Sequence, residues 1–204
     1  MKVLLICGKF LIFLSVFLFV ACATLPSLIV TYKPLPKSSI FEGNEIYLKV
    51  VDKRANKDII GTGAERIYKD FAGNVTFILE KGTGERSTVR MYEVEPLFKH
   101  VFVLYLENMG LHVLPYPKAE IPQLVIRIHD FVLDLSGSRW TSRIAYEAEF
   151  SQGEKVLIRN LQGEGEKLRV SGLAQAHQVM SETFSDIVHK LDVKELVSSI
   201  KEER

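Results

Sequence analysis

Asp52 and Arg54 lie two residues apart, just after a predicted β-strand at residues 46–51. Side chains two residues apart on an extended chain point to the same face, so this carboxylate and guanidinium can meet. Such a contact is charge-assisted and strong. Two interpretations stay open: an ion pair that fixes the loop after the strand, and a contact with a binding partner.

Trp140, Arg143 and Tyr146 are the second candidate site, an interaction surface on a predicted strand at residues 140–150. Tryptophan, tyrosine and arginine are enriched among the residues that dominate binding energy at protein interfaces. The same strand alternates apolar and polar residues, which is typical of an antiparallel strand with one solvated face. The alternative interpretation therefore assigns Trp140 and Tyr146 to the core.

The other reactive residues do not predict a catalytic, metal or cofactor site. His129 and Asp130 are adjacent, and neighbours on a strand point to opposite faces. The remaining four histidines lack a metal-ligand spacing such as H-x-x-x-H, and no serine stands in a G-x-S-x-G motif. The Gly-Thr-Gly segments at residues 61–63 and 82–84 lack the rest of a phosphate loop and predict turns. An envelope hydrolase with a site assembled from distant residues is the less favoured alternative.

Residues 1–21 have the composition of an export signal. Lys2 and Lys9 precede an apolar run at residues 10–20, which ends at the small residue Ala21. A membrane-spanning helix needs about 20 apolar residues, and the run after Lys9 is roughly half that length. We therefore expect residues 1–21 to be cleaved and not retained as a transmembrane anchor.

Cys22 ends the string FVAC at residues 19–22, which resembles the lipobox of bacterial lipoproteins. The resemblance implies that Cys22 becomes a lipidated N-terminus and anchors the chain to a membrane. Cysteine counting agrees, because Cys7 leaves with the signal and Cys22 then has no thiol to pair with in an oxidising compartment. Ala23 stands where inner-membrane lipoproteins commonly have aspartate, so the resemblance implies the periplasmic face of the outer membrane.

Charge and composition restrict what the exported part can bind. It keeps 24 of the 26 basic residues and all 25 acidic ones, a net charge of −1. A nucleic-acid binder normally carries a basic patch, so no nucleic-acid partner is expected. We expect a proline- and serine-rich tether over residues 22–44, in which residues 28–30 are apolar enough to dock as an edge strand. A single periplasmic domain is expected over residues 45–204.

Hydrophobic periodicity predicts an α+β fold. Residues 46–51, 75–79, 123–135, 140–150 and 156–161 have strand patterns, and residues 96–109 and 172–191 have helical patterns. The apolar set of the strand at 123–135 changes phase by one residue, which predicts a β-bulge at His129 and Asp130. We expect the last three strands to form a meander, and the two main helices to pack on one face of an antiparallel sheet.

Five segments of the exported part have a distinctive order: VVDKR at 50–54, IG at 60–61, ENMG at 107–110, LVIRI at 124–128, and the last main helix from residue 174. Together they resemble the YajG-like family of bacterial lipoproteins and, more distantly, the auxiliary lipoproteins of ABC-type lipid-transport systems. The resemblance implies no catalytic residues and no cofactor. It implies a non-enzymatic binding or scaffolding module with an envelope protein as partner, and an auxiliary subunit of a lipid-transport system is the alternative.

Overall fold

The computed structural model describes residues 26–80 and 84–202, so Cys22 and the predicted export signal lie outside the described residues. The elements follow in this order: β1 Leu28–Tyr32, β2 Glu45–Asp52, β3 Val75–Glu80, β4 Arg86–Met91, α1 Val94–Asn108, β5 His112–Leu114, β6 Gln123–Ser136, β7 Arg139–Gln152, β8 Lys155–Leu168, α2 Ala174–His189 and α3 Val193–Glu202. None of these three helices combines the length and hydropathy needed to cross a membrane.

The described strands form two mixed sheets, with the orders β5-β2-β6-β7-β8 and β1-β3-β4. In the larger sheet β2 runs parallel to both β5 and β6, whereas β6, β7 and β8 run antiparallel. The α+β class is confirmed, but the prediction of an antiparallel sheet is wrong. The long connection from β2 to β6 contains β3, β4 and α1, and a connection of that length allows strands to pair in parallel.

Strand β1 corrects the predicted tether. It forms an edge of the smaller sheet and pairs in parallel with β3, from Leu28 opposite Val75 to Tyr32 opposite Leu79. Its inner side chains are fully buried, and the Thr31 amide donates to Ser181 Oγ of α2 at 2.9 Å. The edge strand expected at residues 28–30 is therefore present and two residues longer, so the irregular part of the chain begins at residue 33.

The helix α1 contacts both sheets, which explains why most of its surface is apolar. Its Phe98 ring packs edge-on against Phe131 and Tyr146 of the larger sheet, with centroids 5.9 and 6.1 Å apart. Its His100 ring contacts Phe77 of the smaller sheet at 5.5 Å. Both main helices pack on the inner face of the larger sheet, and the smaller sheet covers them from the other side.

The meander and its bulge are confirmed. Strands β6, β7 and β8 have 14 residues each, and the pairing of β6 with β7 shifts register between Ile128 and Asp130. Strand β8 continues to Leu168, beyond the predicted end at residue 161. The prediction ended too early because the second half of the strand contains two glycines, Gly163 and Gly165, which carry no strand signal in the sequence.

Gly163 and Gly165 of β8 let α2 lie close to the larger sheet. A methyl group at Gly165 would overlap Thr183 Oγ1 and press on Ser142 Oγ, whereas one at Gly163 would make ordinary contact with Ile187. Ser142 and Thr183 share a buried hydrogen bond of 2.6 Å across this contact. The helix is thus held at a distance that one of the two glycines sets.

We expect Gly165→Ala to lower the free energy of unfolding by about 1–3 kcal/mol, because overpacking a closed contact displaces the helix. Gly163→Ala in the same strand is the matched control and should change stability by less than about 1 kcal/mol, since its methyl group fits. Urea denaturation of both variants measures the difference. Equal stabilities would show that the approach of α2 does not depend on Gly165.

Candidate binding cavity beside Asp52 and Arg54

Asp52 and Arg54 form the predicted ion pair at the point where β2 ends. Arg54 donates from Nε to Asp52 Oδ1 at 3.1 Å and from Nη2 to Oδ2 at 2.9 Å. The Arg54 amide donates to the same carboxylate at 3.0 Å, and Lys57 Nζ lies 3.0 Å from Oδ1. The pair therefore closes the first turn of the segment 53–74, as the structural interpretation expects, and the contact with a binding partner stays a prediction.

The environment of Asp52 strongly favours its charged form. Partial burial alone would raise the pKa of this carboxyl group, but the hydrogen bonds from Arg54 and Lys57 outweigh burial and lower the pKa from 3.8 to about 2. The partner guanidinium is deeply buried, with 4% of its side chain exposed. Each charge is stable in this place because the other is present.

The segment 53–74 returns to the larger sheet and docks on β6. Gly61 donates its amide to Leu133 O at 2.8 Å, and the Leu133 amide donates to Ile59 O at 2.8 Å. A Cβ atom at Gly61 would overlap Asp134, so only glycine allows this approach. The Gly-Thr-Gly segment at 61–63, predicted as a turn, thus lets the segment lie against the sheet.

A cavity of about 730 Å³ lies between this segment and the start of α1. It is partly open, and it combines apolar walls with many charged side chains. The residues that line it are Asp52, Arg54, Lys57, Asp58, Ile59, Ile60, Glu65, Tyr68, Lys69, Asp70, Phe71, Gly73, Tyr92, Glu93, Val94 and Glu95.

Two buried polar atoms belong to residues of this cavity and lack hydrogen-bond partners among the described residues: Arg54 Nη1 and Tyr68 Oη. The Tyr68 ring packs edge-on against Phe71 at 5.7 Å and against Trp140 at 6.1 Å, and burial raises the pKa of its hydroxyl. Asp70 has a φ of 62°, a conformation that non-glycine residues adopt at a cost. Unpaired donors and backbone strain together are typical of functional sites.

The rim of the cavity is acidic. Six carboxylates and three basic side chains line it, and Arg54 and Lys57 already pair with Asp52. Tyr92 is 68% exposed and lies beside Glu93 at the mouth. Sequence reasoning missed Tyr68, Asp70, Tyr92 and Glu93. A local signal was present only for the last two, as an aromatic followed by an acidic residue just before α1.

The structure separates the three residues of the second candidate site. Trp140 and Tyr146 are 0% and 1% exposed on the inner face of β7, and Tyr146 donates from Oη to Ile187 O at 2.9 Å. Arg143 lies on the outer face, where its Nε is 3.3 Å from Asp130 Oδ2. The predicted surface is therefore corrected, because strand alternation buries the aromatics and exposes the arginine. Trp140 instead supports the cavity by packing on Tyr68.

The remaining candidate groups do not meet in one place. His129 is exposed at the bulge, and its neighbour Asp130 pairs with Arg143. Within residues 26–80 and 84–202, no group of three or more histidine, cysteine, aspartate or glutamate residues is arranged to hold a metal ion.

No protein-family model matches the sequence, and no curated protein matches it. The crystal structure of protein XCC0632 from Xanthomonas campestris, assigned to the family model DUF330, is 10% identical, with a TM-score of 0.49 over 85% of this chain and 98% of its own. A crystal structure of an uncharacterized protein is 12% identical, with a TM-score of 0.46 over 82% of this chain and 99% of its own. Neither protein is described as a member of the YajG-like family, and likenesses at this level do not indicate a shared function.

We expect Asp52→Asn to lower the free energy of unfolding by about 3 kcal/mol at neutral pH, because it leaves a buried guanidinium without its counter-charge. In the unsubstituted protein this stabilisation is complete above about pH 4 and is lost as the pH falls toward 2, since the pKa is depressed in the folded state. Asp52→Asn should lack that part of the acid sensitivity.

Asp58→Asn, at an exposed aspartate of the same segment, is the matched control and should leave the stability nearly unchanged. Urea denaturation between neutral pH and about pH 2.5 measures all three proteins. If Asp52→Asn and Asp58→Asn were equally stable, the ion pair would not hold the segment.

Proposed function

We propose that the chain is a lipoprotein of a bacterial cell envelope, anchored by lipid on Cys22 to the periplasmic face of the outer membrane. Its folded part is a non-enzymatic module that binds an envelope protein. The string at residues 19–22 supports the anchor. The cavity beside Asp52 and Arg54 is the observation that carries the binding role.

Arg54 and Tyr68 make the cavity a better candidate than an ordinary surface depression. A buried donor without an acceptor costs about 1–3 kcal/mol, and folded proteins retain few of them. Both atoms are covered in this structure, so a ligand reaches them after a side-chain movement. Carbonyl oxygens of a bound polypeptide supply acceptors for both groups.

The charges at the rim favour a basic segment of a protein as the ligand. Glu65, Asp70 and Glu93 are exposed around the opening, where lysine or arginine side chains of a partner gain charge-assisted contacts. Tyr92 and Phe71 add aromatic faces that attract cations. A basic, extended segment thus satisfies the rim and the unpaired donors together.

The cavity lies close to the start of β1, the first strand among the described residues. The Leu28 amide donates to Asn74 O at 3.2 Å, and Asn74 follows Gly73 of the cavity wall. Residues 23–27 separate Cys22 from Leu28 at the start of β1, and the six steps between them span at most about 22 Å. The proposed anchor would hold the cavity close to the membrane, within reach of segments that leave it.

A subunit for lipid transport needs an apolar groove, and the described residues do not support that version. Aromatic rings fill the space between the sheets, and the cavity beside Asp52 and Arg54 carries nine charged side chains. A hydrolase with a serine, threonine or cysteine nucleophile is supported less, because no such residue and no histidine lines this cavity. A basic protein segment is the ligand that the observed groups favour.

For the anchor, we expect Cys22→Ala to accumulate as a precursor that still carries residues 1–21 and takes up no fatty acid. The reason is that lipid would attach to the sulfur atom of Cys22. Cys7→Ala removes the other cysteine and is the matched control that should mature normally. Mass spectrometry and fatty-acid labelling in cells report both properties. Normal maturation and labelling of Cys22→Ala would rule out the anchor.

For the binding site, a photoactivatable amino acid at Tyr92 should crosslink a reproducible envelope protein in intact cells. The same replacement at Tyr116, which is 77% exposed and outside the cavity wall, should not capture that protein. Glu65→Lys with Glu93→Lys should reduce the capture at Tyr92 at least tenfold, because like charges repel a basic segment.

The control for charge alone is Glu120→Lys with Glu154→Lys, two exposed glutamates outside the cavity. It should leave the capture unchanged. Equal capture at both tyrosines, or an equal loss in both double variants, would argue against the cavity as the binding site.

A further inference from the structure

Strand β8 is a free edge of the larger sheet. Among the described strands it pairs only with β7, over its whole length from Lys155 to Leu168. A long unpaired edge exposes backbone donors and acceptors on one side and is a template for another strand. The side chains on the outer face of β8, which are those of its even-numbered residues, indicate which strand can pair with this edge.

Exposed apolar residues stand at both ends of this outer face. Val156 and Ile158 are 53% and 50% exposed near its start, and Leu168 and Val170 are 62% and 79% exposed at and beyond its end. The two pairs are placed symmetrically about Gly163 in the sequence. This symmetry is what antiparallel pairing of a strand with its own copy requires.

We propose that β8 pairs in antiparallel fashion with β8 of a second copy of this chain, with the two-fold axis at Gly163. In this register Ile158 lies opposite Leu168 of the second copy, and Val156 lies opposite Val170. Directly opposed side chains have Cβ atoms about 5 Å apart, close enough to bury one another. The paired strands join the two larger sheets into one.

The polar residues between these ends are complementary in the same register. Asn160 lies opposite Glu166 of the second copy, and Gln162 lies opposite Glu164. Within one copy Gln162 Nε2 already donates to Glu164 Oε1 at 2.9 Å and Arg139 Nη1 donates to Glu166 Oε1 at 2.6 Å. Each carboxylate keeps further acceptor positions for the amide of the second copy. No two carboxylates face each other on the outer row. The charges of the strand thus suit its own copy.

Neighbouring registers lose this fit. Sheets with the same buried face on both copies can shift only by two residues at a time. A shift in one direction places Ile158 opposite Glu166, and a shift in the other places Glu164 opposite itself. Apolar-against-charged and like-charge pairs are both unfavourable, so the register at Gly163 is preferred.

The inner row of β8 carries one pair of like charges in this register, Arg159 opposite Lys167. Each is already bound within its own copy, Arg159 Nη2 to Glu195 Oε1 at 2.9 Å and Lys167 Nζ to Glu182 Oε2 at 3.0 Å. Their carboxylate partners screen the repulsion. Lys190 Nζ contacts Gln162 O at 3.4 Å, a long and exposed contact that a second strand displaces.

Sedimentation of the full chain in detergent should report a dimer. Ile158→Asp with Leu168→Asp should give a monomer, because four charges then meet in the apolar pairs. Val89→Asp with Tyr116→Asp replaces exposed apolar residues elsewhere and should leave the dimer intact. A monomeric unsubstituted chain, or loss of the dimer in the control, would overturn the proposal.

A pair of cysteines tests the register itself. Ile158→Cys with Leu168→Cys should give a disulfide-linked dimer on mild oxidation, since ten residues of strand, about 34 Å, prevent a bond within one copy. Ile158→Cys with Glu166→Cys, the shifted register, should crosslink at least fivefold less, and the unsubstituted chain gives the background of its own cysteines. Equal yields from the two pairs would refute the register at Gly163.

Discussion

A guanidinium buried beside one carboxylate is the constraint on which the candidate site depends. Arg54 is 6% exposed, and a buried charge is tolerated only when a partner compensates for the lost water. Asp52 does so by accepting three side-chain hydrogen bonds from Arg54, and it is held because β2 pairs with β6 as far as Asp52, opposite Ile128. The pair turns the chain away from the sheet, and the segment 53–74 then has to return to β6, which encloses the cavity.

The packed core of the domain supports the wall of the cavity beside Asp52 and Arg54. The helices between the two sheets form a closed aromatic core. Within it, the Phe98 ring contacts rings of the larger sheet and of α2. Trp140 is part of this core, and it supports Tyr68 from behind. The cavity wall therefore rests on a rigid layer, while its rim is formed by exposed residues that can adapt to a partner.

Local patterns account for much of the fold. Alternation and a phase change predict the meander and its bulge. The start of α3 is also fixed locally, since Asp192 Oδ1 accepts the Glu195 amide at 2.9 Å. Parallel pairing of β2 has no local signal, because it joins strands far apart in sequence. The cavity is equally non-local, since Gly61 matters only once Asp134 lies against it. For Trp140 and Tyr146, the alternation of the strand correctly predicts burial in the core, whereas their residue types suggest an interaction surface.

Hydrogen exchange of Arg54→Lys tests most directly whether the buried pair orders the cavity. Lysine keeps the charge but loses the two-pronged contact with Asp52. Amides of residues 53–74 are expected to exchange at least tenfold faster than in the unsubstituted protein, while those of β6 and β7 keep their protection. Unchanged exchange in residues 53–74, or equal acceleration throughout the domain, would contradict this account of the site.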